Sequence, residues 1–181
     1  MKKSLVVVMA LILSLSTLVG CAEKSATDSG TSAPYQGSKD EKYVMVTFLS
    51  GIEYWKNAFK GMEEAANNLG VKAVYKGADQ YDINQQVTVL EQVIAQKPDG
   101  ILVTCINPDA LKAPINKAID AGIPVITFDA DSPDSKRYSF LATSNYNAGA
   151  TAARELARLT NEKGEVGVVT VPGQLNHEER K

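Results

Sequence analysis

The 181-residue sequence predicts an α/β fold, a parallel sheet flanked by helices on both faces. Three observations carry that prediction. Short apolar runs rich in β-formers begin at residues 43, 71, 100 and 124, the spacing of strand–helix–strand units. Between them, apolar residues recur at helical spacing rather than in alternation. The third run, Gly100–Ile106, is apolar except at Thr104, as a strand buried on both faces requires.

Each element has its own signal. Tyr43–Leu49 (YVMVTFL) is the first strand. Trp55, Phe59, Met62, Ala66 and Leu69 share one face of the helix that follows, and Gly70 is its stop. Val71–Tyr75 is the second strand. Asp82 opens a helix marked by Ile83, Val87, Leu90 and Ile94. Pro98-Asp99-Gly100 is a turn into the third strand. Leu111, Ile115 and Ala118 mark the third helix, Gly122 ends it, and Pro124–Phe128 (PVITF) is the fourth strand. Tyr138–Ala142 is a short fifth strand. Tyr146–Thr160 is a helix with Ala152, Ala153, Leu156 and Leu159 on its apolar side, and Glu165–Val171 is expected to be a sixth strand.

The N-terminus reads as an address. Lys2 and Lys3 precede an apolar run from Leu5 to Leu15. That run is shorter than the roughly 20 residues needed to span a bilayer, so it is a secretory signal rather than a transmembrane helix. It ends in LVGC, and this string resembles the lipobox of bacterial lipoproteins. The resemblance implies cleavage after residue 20 and lipidation of Cys21, which would tether the protein to a membrane. Residues 21–42 are rich in Ser, Thr, Gly, Lys and Asp and nearly free of large apolar residues, as a flexible tether is.

Composition narrows the function. A formal net charge of −2 lacks the basic excess of a nucleic-acid binder. One histidine and two cysteines exclude a multi-histidine metal centre and a four-cysteine zinc site. Neither a cofactor nor a metal is expected. Cys105, inside the third apolar run, reads as a buried inert thiol. No G-x-S-x-G, P-loop or dinucleotide-binding glycine string is present. The D-x-D of Asp129 and Asp131 is similar to the nucleophile motif of haloacid-dehalogenase phosphatases. It sits on the fourth strand rather than the first, however, and Pro133 stands where Thr or Val is usual. An enzyme is therefore not expected.

Ligands of such sheets bind beyond the carboxyl ends of the strands. The loops there carry Tyr54 and Trp55, Asp79 and Tyr81, Asn107 and Asp109, and Asp129, Asp131 and Asp134. They hold an unusual share of the aromatic and acidic residues, and basic residues are nearly absent from the first four loops.

The strings EYWKNAFKGMEEAANNLGV, DINQQVTVLEQVIAQKPDGILVTCINPDAL, AIDAGIPVITFDAD, ATSNYNAG and NHEER occur in order between Tyr43 and Lys181. In order and spacing the chain resembles the ribose-type sugar-binding proteins of ABC transporters, of the periplasmic binding protein type 1 fold. The resemblance implies two lobes closing on a sugar or polyol, an ABC permease as partner, a monomer, and a place outside the cytoplasmic membrane or in the periplasm. It divides the chain into a signal peptide (1–20), a tether (21–42), a nearly complete first lobe (43–143) and the start of a second (144–181). Tyr54 and Trp55 match the aromatic pair that stacks on the sugar, Asp129 the carboxylate that accepts from hydroxyls, and Arg180 the arginine that donates to sugar oxygens. Asn176 and Asp131 are further ligand candidates. Ser144 and Asn145 lie at the first crossing between lobes, where a hinge is expected; for Asn145 a hinge or capping role and ligand contact are equally open. Ile52-Glu53 replaces the usual Asn-Pro, and Ala130 replaces the arginine that often follows the aspartate, so the sugar need not be ribose. The alternative function is a surface lipoprotein that presents sugar to a sensor kinase or chemoreceptor. Two lobes need on the order of 250–300 residues. The chain is therefore expected to be part of a longer protein and to bind sugar weakly alone.

Overall fold

The computed structural model describes residues 37–181. The expected signal peptide, Cys21 and most of the expected tether lie outside the described residues. Five parallel strands form one sheet in the order β2-β1-β3-β4-β5. The strands are β1 (Lys42–Thr47), β2 (Lys72–Gly77), β3 (Gly100–Val103), β4 (Val125–Phe128) and β5 (Ser139–Leu141). The helices are α1 (Glu53–Leu69), α2 (Ile83–Ala95), α3 (Pro108–Asp120), α4 (Asn145–Leu159) and the short α5 (Leu175–Glu178). The chain runs from β1 outward to β2, then returns past β1 to β3 and continues through β4 to β5. The strand order therefore reverses between β1 and β3, which is where open α/β sheets bind ligands.

Strand alternation sorts the two faces. Val44, Val46, Ile101, Val103 and Val125 pack with Leu90, Val93 and Ile94 of α2 and with Leu111, Ile115 and Ala118 of α3. Tyr43, Met45, Leu102 and Phe128 turn to the opposite face, where α1 lies along β2. On that face α1 leaves an apolar groove of about 440 Å³, floored by Met45, Leu102 and Phe128 and walled by Met62 and Leu69.

Local chemistry ends the elements where the sequence places the signals. Gly70 adopts φ 74° as the left-handed cap of α1. The Asp82 carboxylate accepts a hydrogen bond from the Gln85 N–H and opens α2. Asn107 does the same for α3 through the Ala110 N–H.

One expected element is missing. Residues 165–171 form no strand, and Val166, Val168 and Val169 are exposed. An isolated parallel strand leaves its N–H and C=O groups unpaired, and no described strand lies beside this one. The predicted apolar side of α4 is likewise open: Leu156 and Leu159 are exposed, and Asn145 is the only buried residue of that helix.

Candidate functional site

Three strand ends converge at the reversal of strand order. The loop after β1 leads into α1, whose second residue is Tyr54. Thr104 follows β3, and Asp129 follows β4. The Tyr54 hydroxyl donates to Asp129 Oδ1 at 2.8 Å, and the Thr104 hydroxyl lies 3.5 Å from Oδ2. Burial of the phenol, its hydrogen bond to Asp129 and that carboxylate's charge raise the Tyr54 pKa, while the charge of Arg180 pulls it down. Arg180 is thus part of the same electrostatic neighbourhood.

Asp129 holds a left-handed backbone with φ 61°. Aspartate tolerates that region better than most residues. Two main-chain hydrogen bonds retain it there, from Asp129 N–H to the Leu141 carbonyl and from Ala130 N–H to the Phe128 carbonyl.

The aromatic pair splits in role. Tyr54 is 62% exposed, whereas Trp55 is 2% exposed. The indole lies edge-on to Phe48, Tyr54 and Phe128, at centroid distances of 5.2, 4.6 and 5.8 Å. Its Nε1 is buried without a hydrogen-bond partner among the described residues. Trp55 therefore packs beneath Tyr54 instead of offering a free face.

The two aspartates of the D-x-D string also part. Asp131 is 7% exposed and turned inward. Arg137 grips it through Nε to Oδ1 at 2.5 Å and through a terminal amino group to Oδ2 at 2.6 Å. The Thr127 hydroxyl and the Ser132 N–H also donate to Oδ1. Burial pushes the Asp131 pKa up, but the hydrogen bonds from Arg137, Thr127 and Ser132 together outweigh it and hold the carboxyl below its ordinary range. Cys105 is buried, and desolvation, with the Asp131 charge, pushes its thiol pKa well up.

Residues after the sheet form a second polar cluster. Arg180 donates from Nε to Asn145 Oδ1 at 2.8 Å, and Asn145 Nδ2 donates to Glu179 at 2.7 Å. Ser144 caps α4 by accepting from the Asn147 N–H. Asn176 is buried in α5 with its Oδ1 unpartnered among the described residues.

Sequence reasoning missed the group that shapes the loop after β3. Gln86 is fully buried. Its Nε2 donates to the Thr104 carbonyl at 2.5 Å, and its Oε1 accepts from the Ile106 N–H at 3.0 Å. The signal was present: residue 86 lies on the apolar face set by Ile83, Leu90 and Ile94. Among the described residues no group of three or more His, Cys, Asp or Glu side chains could hold a metal ion. What the site offers is hydrogen-bond acceptors, a guanidinium and an aromatic surface.

Known proteins share this fold. The chain is 26% identical over 183 residues to the ribose import binding protein RbsB of Bacillus subtilis, covering 99% of the chain and 58% of that protein. The arabinose binding protein AraP of Geobacillus stearothermophilus has a solved structure that superposes with a TM-score of 0.71 at 60% identity, over 78% of this chain and 49% of that one. A sugar ABC transporter sugar-binding protein of Bacillus halodurans gives 0.74 at 55% identity, over 77% and 48%. The chain thus spans about half the length of the proteins it matches. Residues 43–181, including every strand end that meets at Asp129, match the periplasmic binding protein domain, and the chain belongs to that family.

Proposed function

We propose that this protein is an extracytoplasmic solute-binding protein that captures a sugar or polyol between two lobes and delivers it to an ABC importer. The observation that carries the reading is the meeting of Tyr54 and Asp129, distant in sequence, at the carboxyl ends of β1 and β4, with the Arg180 charge acting on Tyr54. The exposed Tyr54 ring suits the C–H face of a sugar. Asp129 accepts from vicinal hydroxyls, and the Arg180 fork donates to oxygens without losing its charge. Asp131 and Trp55 act from behind, the first by holding the β4–β5 connection and the second by backing Tyr54. Asn176 is the second candidate from the Arg180 loop.

The first lobe comprises residues 43–143, and the second begins at 144, with Ser144 and Asn145 at the crossing. Ligand contacts to both lobes favour a closed state that a permease recognises. No bond is made or broken, so the protein is not an enzyme. Export by residues 1–20, lipidation at Cys21 and a tether to residue 42 place a monomer at the outer face of the membrane or in the periplasm. The names of the relatives favour a pentose, with arabinose the first to test.

Calorimetry of the full-length gene product against pentoses, hexoses and polyols tests this. Saturable binding to one class is expected, and Asp129→Asn should weaken it about tenfold or more, because hydrogen bonds to a charged acceptor are the stronger kind. Asparagine tolerates the left-handed backbone, so this variant keeps the fold. Absence of heat with every sugar and polyol would overturn the reading.

A further inference from the structure

We propose that Asn145 and Gly149 are positioning residues that seat Arg180, one through its guanidinium and the other through its main chain. The inference rests on the reading of Arg180 as a sugar contact. Residues 145 and 149 are four apart in α4, so they share a face one turn from each other. Asn145 is buried, and its amide is used at both ends: Oδ1 accepts from Arg180 Nε, and Nδ2 donates to Glu179. With Nε engaged by Asn145, the terminal amino groups of Arg180 make no hydrogen bond to any described residue. They are the donors left for a ligand.

Gly149 admits the segment that carries this side chain. A Cβ at position 149 would lie 2.2 Å from the Arg180 carbonyl oxygen, 2.9 Å from its carbonyl carbon and 3.1 Å from its Cα. All three are backbone atoms, so the clash cannot be relieved by a side-chain rotation. Any larger residue must push residue 180 away from α4. Glycine costs helix stability at this position relative to alanine, and Gly149 is not in a left-handed conformation. Its requirement is therefore the approach of Arg180 and not local backbone geometry. The pair fixes both ends of the arginine, main chain and Nε, before ligand arrives. A rotamer-rich side chain that is already ordered adds less entropic cost to binding.

The test has two arms, both on the full-length protein. The first reads the arginine Nε–H signals by ¹⁵N NMR without ligand, with the Arg180 signal assigned by its loss in Arg180→Lys. A protected Arg180 signal is expected in the parent, and it should collapse into the exchanging bulk in Asn145→Ala and Gly149→Ala. A signal unchanged in both variants would overturn the seat. The second arm measures L-arabinose affinity in a double-mutant cycle. Asn145→Ala should weaken binding roughly 2- to 12-fold, the range for ordering one long side chain. Gly149→Ala should weaken it by about tenfold or more, since it moves the main chain. In an Arg180→Ala background neither substitution should weaken binding further. Penalties that add to that of Arg180→Ala would refute action through the arginine. If Arg180→Ala itself binds arabinose like the parent, or the parent shows no binding, the ligand assignment fails while the NMR arm still decides the seat. Gly149→Ala should not lower the thermal midpoint, which separates displacement of residue 180 from misfolding.

Discussion

Replacing Arg137 with Met strands a buried carboxylate, and the cost can be worked from the structure. The Asp131 and Arg137 side chains are 8% and 20% exposed. Removing one partner of such a buried pair typically costs about 3–5 kcal/mol. Coulomb's law gives a similar figure, about 4 kcal/mol for charges about 4 Å apart at an effective dielectric of 20. Thr127 and Ser132 still donate to Asp131 Oδ1, so the lower end, about 3 kcal/mol, is expected. Against a typical domain stability of about 5–15 kcal/mol that is a large fraction. Urea unfolding at pH 7 should show a lower midpoint with an unchanged m-value. The pH dependence has a definite sign. The folded Asp131 pKa lies below its unfolded value. The stabilisation is therefore complete above the unfolded pKa, about 3.9, and is lost as pH falls through the folded value. The gap between parent and Arg137→Met should accordingly hold from pH 7 to about pH 4 and narrow below it, as the parent loses this stabilisation, and Asp131→Asn should relieve part of the loss in the double variant. A variant within about 0.5 kcal/mol of the parent at pH 7, or a deficit independent of pH, would refute the reasoning.

Gln86→Leu keeps the volume of a fully buried side chain but leaves the Thr104 carbonyl and the Ile106 N–H without their partner. At about 1–3 kcal/mol per unsatisfied buried group, it should destabilise by about 2 kcal/mol or more. Chemical denaturation checks this, and a neutral result would mean that the loop after β3 holds its shape without the amide. Cys105 should resist iodoacetamide at pH 8 in the folded protein and react in urea, because burial holds it as the thiol. Mass spectrometry reads the outcome, and rapid alkylation of the native protein would contradict the buried placement.

Much of the fold was legible in the sequence because its signals are local. Gly70 and Gly122 take positive φ at the ends of their helices, and Asp82 and Asn107 cap theirs through N–H groups three residues on. The candidate site was legible only in part. Tyr54 and Asp129 were singled out, and they meet at 2.8 Å. The sequence does not say that Trp55 is covered while its neighbour is open, since that depends on Phe48 and Phe128 from other strand ends. Nor does it distinguish Asp129 from Asp131. The partner that takes Asp131 inward is Arg137, across a turn whose path no periodicity predicts.

Residues 165–171 show most sharply where local reading ends. Their composition is that of a strand, yet no strand forms, because strand structure is completed by a neighbour's hydrogen bonds. Spacing, caps and apolar periodicity are written along the chain, and they sufficed for the alternation of strands and helices and for the class of residue in each loop. Strand order, the left-handed turn at Asp129, the inward pull on Asp131 and the seat of Arg180 on Asn145 and Gly149 belong to the tertiary structure. Each depends on groups brought together from distant segments, and only packing decides which polar groups find a partner and which remain for a ligand.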